Sequence, residues 1–446
     1  MFLEILSSAV FGSIAIVAQL KKSGASNDSD KLNKIFSLTG LNVKDKEKTY
    51  TAQLLKKRNY DWGTEYCYRI PLGRSFEDYQ AKFNHIQDGL NNRKTAFNFS
   101  LADLKALDFK QNLLQQVRDL LTKKKAAKKE VELSYDGTLK VKVYNTPMPA
   151  MVSYTDITLT WDGWKVPVGQ IREGNTLILH DFEKVPHMIV GGATRYGKSN
   201  FLNMLITTLL ILQPDNVRLT LIDLKGGVEF SDYRNSKQVI HYAEEPEEAE
   251  EALQAVVEEM REKQRQFKER SVKNVQEAKD PVRHFIIIDE VGELNPAEAV
   301  TKDEKALKER CQTYMSQIAR LGAGLGYRQI LATQYPTGDV IPRQCKQNSD
   351  AKLCFRVQNG TASRVVLDET GAELLPEIKG RAIYQTADKR QILQTPLIEN
   401  KTTQQAIKPH LVIKPRKEKG NADDSRQQSG KAGADPAQPG AIQFHE

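Results

Sequence analysis

The stretch Gly192-Ala193-Thr194-Arg195-Tyr196-Gly197-Lys198-Ser199 fits the pattern G-x-x-x-x-G-K-[ST], whose residue types suit a grip on a triphosphate. Its glycines let backbone N–H groups curl around phosphate oxygens, and Ala193, Thr194, Arg195 and Tyr196 complete the turn. Lys198 can reach the β and γ phosphates, and the Ser199 hydroxyl can sit on Mg²⁺. Asn200 opens an apolar run to Leu212, and a helix there would aim its positive end at the anion. The ligands called for are ATP and Mg²⁺.

Phe285-Ile286-Ile287-Ile288-Asp289-Glu290 supplies complementary chemistry. Four apolar residues build a buried strand, and two acids emerge at its C-terminal end, where ligands bind in open α/β sheets. Asp289 would join Ser199 in holding the metal, directly or through water, and Glu290 would polarise the attacking water. A strand ending in two acids is common; downstream of a P-loop strand it gains weight. Thr333-Gln334 closes another apolar strand, and the Gln334 amide could contact the γ-phosphate and sense its loss. A plain strand-to-loop exit is the alternative there.

The elements that must position these residues are legible as a strand–helix alternation from about 185. Strands are expected at 188–191, 219–223, 285–289, 329–334 and 353–357, with a long charged helical region between Glu244 and Lys279. The pattern predicts a parallel sheet covered on both faces, over 181–395. Residues 46–180 read as a small α/β domain, with a strand at 66–72, one helix over Phe76–Leu90, and a basic cluster around Lys123 to Lys129 at a helix end. Residues 23–45, rich in Ser, Asn, Asp and Lys, read as a linker, and 396–446 as a polar, largely disordered tail.

The N-terminus is apolar from Phe2 to Leu20 except for Glu4, Gln19 and serines, and Lys21-Lys22 follow. A helix over 1–22 is expected to anchor the chain in the membrane as a single pass, the basic flank leaving the rest in the cytoplasm. Because Glu4 shortens the run, an interfacial or oligomer-packing helix is the competing reading. The four cysteines lack Cys-x-x-Cys spacing and lie within a large chain, so neither a zinc site nor a disulfide framework is indicated. The +8 formal charge suits a phosphate-backbone partner or an anionic membrane, and ordinary surface charge equally well.

Taken together these stretches resemble the FtsK/SpoIIIE family of DNA-pumping ATPases. The resemblance is carried by Val185 to Thr194 ahead of Gly197-Lys198-Ser199, by Leu221-Ile222-Asp223-Leu224-Lys225, and by the acid pair Asp289-Glu290. It continues through Ile318-Ala319-Arg320-Leu321-Gly322, Ile330 to Gln334, Phe355-Arg356-Val357, Ser363 to Asp368 and Gly371 to Leu374. It implies a RecA-like motor, a hexameric ring and DNA in the pore. It also implies a finger arginine reaching a neighbour's site, with Arg320 the candidate and Arg356 and Arg364 its rivals. The chain departs from the family at Arg195-Tyr196, where Gly-Ser is usual, and at Ala323, where a second arginine often stands. It also shows no winged-helix pattern after Thr386. A short, anchored member of this kind is similar to coupling ATPases of Gram-positive conjugative elements, which implies a relaxase and membrane channel proteins as partners. Two other readings are a type VII-like protein-secretion ATPase, and a non-hydrolytic ATP-gated adaptor that docks a relaxase–DNA complex.

Overall fold

The computed structural model describes residues 28–92, 128–145, 147–334 and 340–412. A small domain comes first. Its helix α1 (Asp28–Leu38) is followed by the ribbon β1 (Val43–Asp45) and β2 (Lys48–Tyr50). Then come β3 (Gln53–Tyr60), β4 (Gly63–Arg69), α2 (Phe76–Ala81), α3 (Phe83–Asn91), β5 (Glu130–Tyr135) and β6 (Leu139–Tyr144). The antiparallel sheet runs β3-β4-β6-β5. Alternate residues Tyr66, Tyr68, Val141 and Val143 face a core shared with Phe36, Tyr79 and Leu90 of the helices. Phe36 stands edge-on to Tyr68 and Tyr79, with ring centroids 5.4 and 5.2 Å away.

The larger sheet has ten strands in the order β11-β10-β12-β13-β9-β14-β15-β16-β7-β8. In chain order these are β7 (Lys165–Gln170), β8 (Leu177–Asp181), β9 (Met188–Gly191), β10 (Val217–Ile222), β11 (Val239–Ala243) and β12 (Arg283–Ile288). There follow β13 (Tyr327–Thr333), β14 (Ala351–Phe355), β15 (Arg381–Gln385) and β16 (Arg390–Gln394). From β11 to β14 every pairing is parallel, and the remaining strands add on antiparallel. The helices are α4 (Lys198–Leu212), α5 (Pro246–Glu269), α6 (Lys302–Leu325), α7 (Arg343–Asn348), α8 (Gly360–Leu367) and α9 (Asn400–Ile407).

Both faces are covered, and β12 shows why its run Phe285–Ile288 is continuously apolar. Phe285 and Ile287 pack with α4, whereas Ile286 and Ile288 pack with α5 and α6 on the other face. Each such side chain contributes about 1.5–3 kcal/mol by leaving water. Thr301 caps α6 by accepting from the Glu304 N–H at 3.1 Å, and Gly326 ends it with φ +90°.

Four expectations need correction. The presumed linker holds α1, because Leu32 and Phe36 fall one turn apart and are buried against the small domain. The small domain ends near 145 rather than 180, since β7 and β8 extend the motor sheet and bury Val166, Val168 and Phe182 in its core. The expected helix over Phe76–Leu90 is two helices, broken at Lys82. The tail does not begin at 396: α9 packs Ile407 into the motor core. The apolar segment 1–22, most of the basic cluster and residues 413–446 lie outside the described residues. Among the described residues no helix is long and apolar enough to cross a membrane.

Candidate functional site: a phosphate cradle closed by acids

Strand order builds the site. β13 lies between the P-loop strand β9 and the acid-bearing β12, with β10 beyond. Thr333 pairs with Gly191, and Ile288 with Ile222 and Leu331. Asp223 and Asp289 therefore leave β10 and β12 level with Ala332, and Gly192 and Gln334 leave β9 and β13 two residues further along the same edge. This edge is where the strands' C-terminal ends gather and where α4 begins.

The loop needs its glycines. A Cβ at Gly192 would stand 2.6 Å from Cβ of Phe355, and Gly197 adopts φ +121° against Gly380. Tyr196 accepts the Gly380 N–H at 2.8 Å and Ala193 donates to the Arg356 carbonyl at 2.9 Å, which fixes the turn on its neighbours. Lys198 is buried and donates to Asp289 Oδ1 at 2.6 Å and to the Asp289 carbonyl at 2.8 Å. The other carboxylate oxygen, Asp289 Oδ2, is buried without a hydrogen-bond partner. An unsatisfied anionic oxygen in the interior is costly, and a divalent cation beside it removes that cost. The Ser199 hydroxyl, a hard neutral oxygen on the first turn of α4, completes a donor set that fits Mg²⁺.

Glu290 is held rather than free. Oε1 accepts the Thr333 hydroxyl at 2.8 Å, Oε2 accepts the Gln334 N–H at 3.0 Å, and Lys225 Nζ lies 3.3 Å from Oε2. Gln334 in turn accepts the hydroxyl of P-loop residue Thr194 at 3.0 Å. The P-loop, the strand-end amide and the second acid thus form one connected network. A cavity of about 380 Å³ runs along Ala193 to Asn200 and Gln334, and its far wall holds Met151, Lys379, Gln394, Thr395 and Leu397.

Of the sequence-expected residues, Ala193 to Arg195, Gly197 to Ser199 and Gln334 line this cleft, while Asp289 and Glu290 sit behind it, bonded to Lys198 and Gln334. Asn200 lines it with its amide committed elsewhere, donating to the Pro396 carbonyl at 2.7 Å and accepting from the Ile398 N–H at 3.0 Å. Next to that clasp, the incoming and outgoing chain pair: Leu397 N–H donates to Val152 at 2.7 Å and Tyr154 N–H to Leu397 at 2.9 Å. Arg320 is exposed on α6 and does not line the cleft of its own chain. Arg356 bonds the Leu375 carbonyl and pairs with Glu377 at 3.4 Å, and Arg364 is exposed on α8. Sequence reading missed Glu229. Burial raises its pKa, Asp289 and Asp223 push the same way, and a hydrogen bond from Ser199 and the charge of Lys198 oppose them. Its signal was the Asp223 turn, whose two glycines return the chain toward the P-loop.

The fold and this cradle define a P-loop ATPase domain. The model of the FtsK/SpoIIIE family matches residues 154–286. The DNA translocase FtsK of Lactiplantibacillus plantarum is 33% identical over 235 residues, covering 49% of this chain and 28% of the relative. That of Streptococcus pyogenes is 34% identical over 219 residues, covering 47% and 27%. The chain therefore spans little more than a quarter of the length of these curated relatives. Among solved structures, the pCW3 conjugation coupling protein TcpA with ATPγS aligns over 86% of this chain and 99% of its own, with a TM-score of 0.56 and 22% identity. EssC from Geobacillus thermodenitrificans aligns over 59% and 51%, with a TM-score of 0.51 and 16% identity. Both likenesses concern the fold.

Proposed function

We propose that the protein is a DNA translocase driven by ATP hydrolysis, acting as the coupling ATPase of conjugative transfer. The observation that carries the hydrolytic half is the network joining Thr194, Gln334, Glu290 and Thr333 beside the Lys198–Asp289 pair. Lys198 and the loop N–H groups would hold the β and γ phosphates, Ser199 and Asp289 would hold the metal, and Glu290 would orient the water and take its proton. Bound Mg²⁺ would supply charge neutralisation at the transferring phosphoryl group. Loss of the γ-phosphate changes what Thr194 and Gln334 contact, and that change passes to β13 and α6.

The cargo half draws support from the curated relatives, which are DNA translocases, and from the end-to-end alignment with a conjugation coupling protein. On this reading the chain works as a ring, with Arg320 completing a neighbour's site, with segment 1–22 at the membrane, and with a relaxase and channel proteins as partners. Protein cargo, the type VII-like reading of the sequence, is the rival. ATPase assays with and without duplex and single-stranded DNA separate the two. Stimulation by DNA that fades as salt rises supports translocation, and turnover indifferent to both overturns it.

A further inference from the structure

The cavity that begins at the P-loop ends on two exposed apolar side chains, Met151 at 66% and Leu397 at 45% exposure. Ser153 and Leu397 form a parallel bridge, so their side chains leave on one face. Val152 and Tyr154 are buried on the other side, which returns Met151 to the face of Ser153 and Leu397. The Asn200 amide grips Pro396 and Ile398, the residues on either side of Leu397, so this face stands at a fixed reach from the first turn of α4. Singly exposed apolar residues are ordinary. These two share a face and border the cavity whose other wall is the phosphate cradle.

The polar side chains of that far wall are already committed. Gln394 Oε1 accepts Arg381 Nε at 3.0 Å, and its Nε2 donates to the Lys379 carbonyl at 2.7 Å. The Thr395 hydroxyl donates to the Gly380 carbonyl at 3.0 Å, and both ends of the Asn200 amide are taken. Lys379 borders the same wall and can meet N7, an acceptor that adenine and guanine share. We infer that Met151 and Leu397 form the platform on which the nucleobase lies, held by apolar contact and not read at its edge. The inference rests on the reading that the cleft takes ATP, and it widens the substrate class to purine nucleoside triphosphates. The cavity of about 380 Å³ has the size of a small-molecule site, about 300–1,000 Å³.

The test measures, by calorimetry on the full chain with Mg²⁺, the affinities of non-hydrolysable ATP and GTP analogues and of inorganic triphosphate. The two analogues are expected to bind within about 10-fold of each other, and each about 10-fold or more tighter than triphosphate. Met151→Ser combined with Leu397→Ser should remove that advantage and leave triphosphate affinity unchanged. Triphosphate binding is the folding control, and Met151→Ser alone replaces the pair if the control fails. An advantage below about 10-fold, or one that survives the substitutions, overturns the inference alone. So does a preference between the analogues beyond about 10-fold, since a site that hydrogen-bonds one base rejects the other by about 10⁴-fold or more. A chain that binds none of the three overturns the proposed function with it.

Discussion

The two edges of the motor sheet carry buried charge of different kinds. At the edge where strands begin, half-buried Glu183 has both oxygens engaged: Oε1 takes Arg283 Nε at 2.7 Å and Arg328 at 2.9 Å, and Oε2 takes Arg283 at 3.0 Å and Gln276 at 2.9 Å. Burial works against ionisation there, yet the two arginines hold the Glu183 pKa down to about 2. At the edge where strands end, Asp289 has one oxygen on Lys198 and one on nothing. The Glu183 carboxylate, with both oxygens engaged, fastens β12 and β13 to the loop before β9, whereas Asp289, with one oxygen unpartnered, leaves a place for a ligand. Buried charge by itself marks neither.

That contrast is open to attack. The largest effect falls at Lys198→Ala, where turnover should drop by about 10³-fold or more in a steady-state assay. The same change strands a buried Asp289 and should cost about 3–5 kcal/mol in denaturant melts. Adding Asp289→Asn should restore the melt and leave turnover dead; recovery of neither would mean that the pair is not the hinge of both effects. Next, Glu290→Gln should slow hydrolysis by about 10²–10⁴-fold while filter binding shows ATP retained. Wild-type rates would remove Glu290 from the chemistry.

At the opposite edge, Arg283→Ala should cost about 3–5 kcal/mol of stability with turnover per folded molecule unchanged. A catalytic defect without a stability loss would erase the distinction between the edges. The smallest effect concerns acid. Burial lowers His180 to a pKa of about 3, and burial with Arg328 lowers His187 to about 4, against about 6.5 when unfolded. The unfolded chain then binds more protons, so stability present above pH 6.5 is lost on acidification toward pH 4. Melting temperature should fall across that window, before Glu183 contributes at all; a flat profile would refute the buried-neutral assignment.

Much of the cradle could be read in the sequence because each part is local. The glycines, Lys198 and Ser199 are consecutive, and four apolar residues announce the strand that delivers Asp289 and Glu290. Gln334 was readable as a strand end, but its place between P-loop and acids depends on β13 inserting beside β9, a choice of pairing partner that no local pattern records. Glu229 was hidden for the same reason, since it is brought in by a turn and two aromatic anchors. The domain boundary failed at β7 and β8, whose Val166 and Val168 would suit either sheet. Helix α1 was missed because four apolar residues, Leu32, Ile35, Phe36 and Leu38, scattered among polar ones resemble a linker until their partners are known.

The clasp at Asn200 has a mechanical meaning. It ties the outgoing chain to the first turn of the P-loop helix, and Leu397 laces that strap to the incoming chain at Val152 and Tyr154. Tension applied through either side of the motor therefore arrives at the phosphate-binding turn without crossing the sheet, so load and nucleotide grip share one harness.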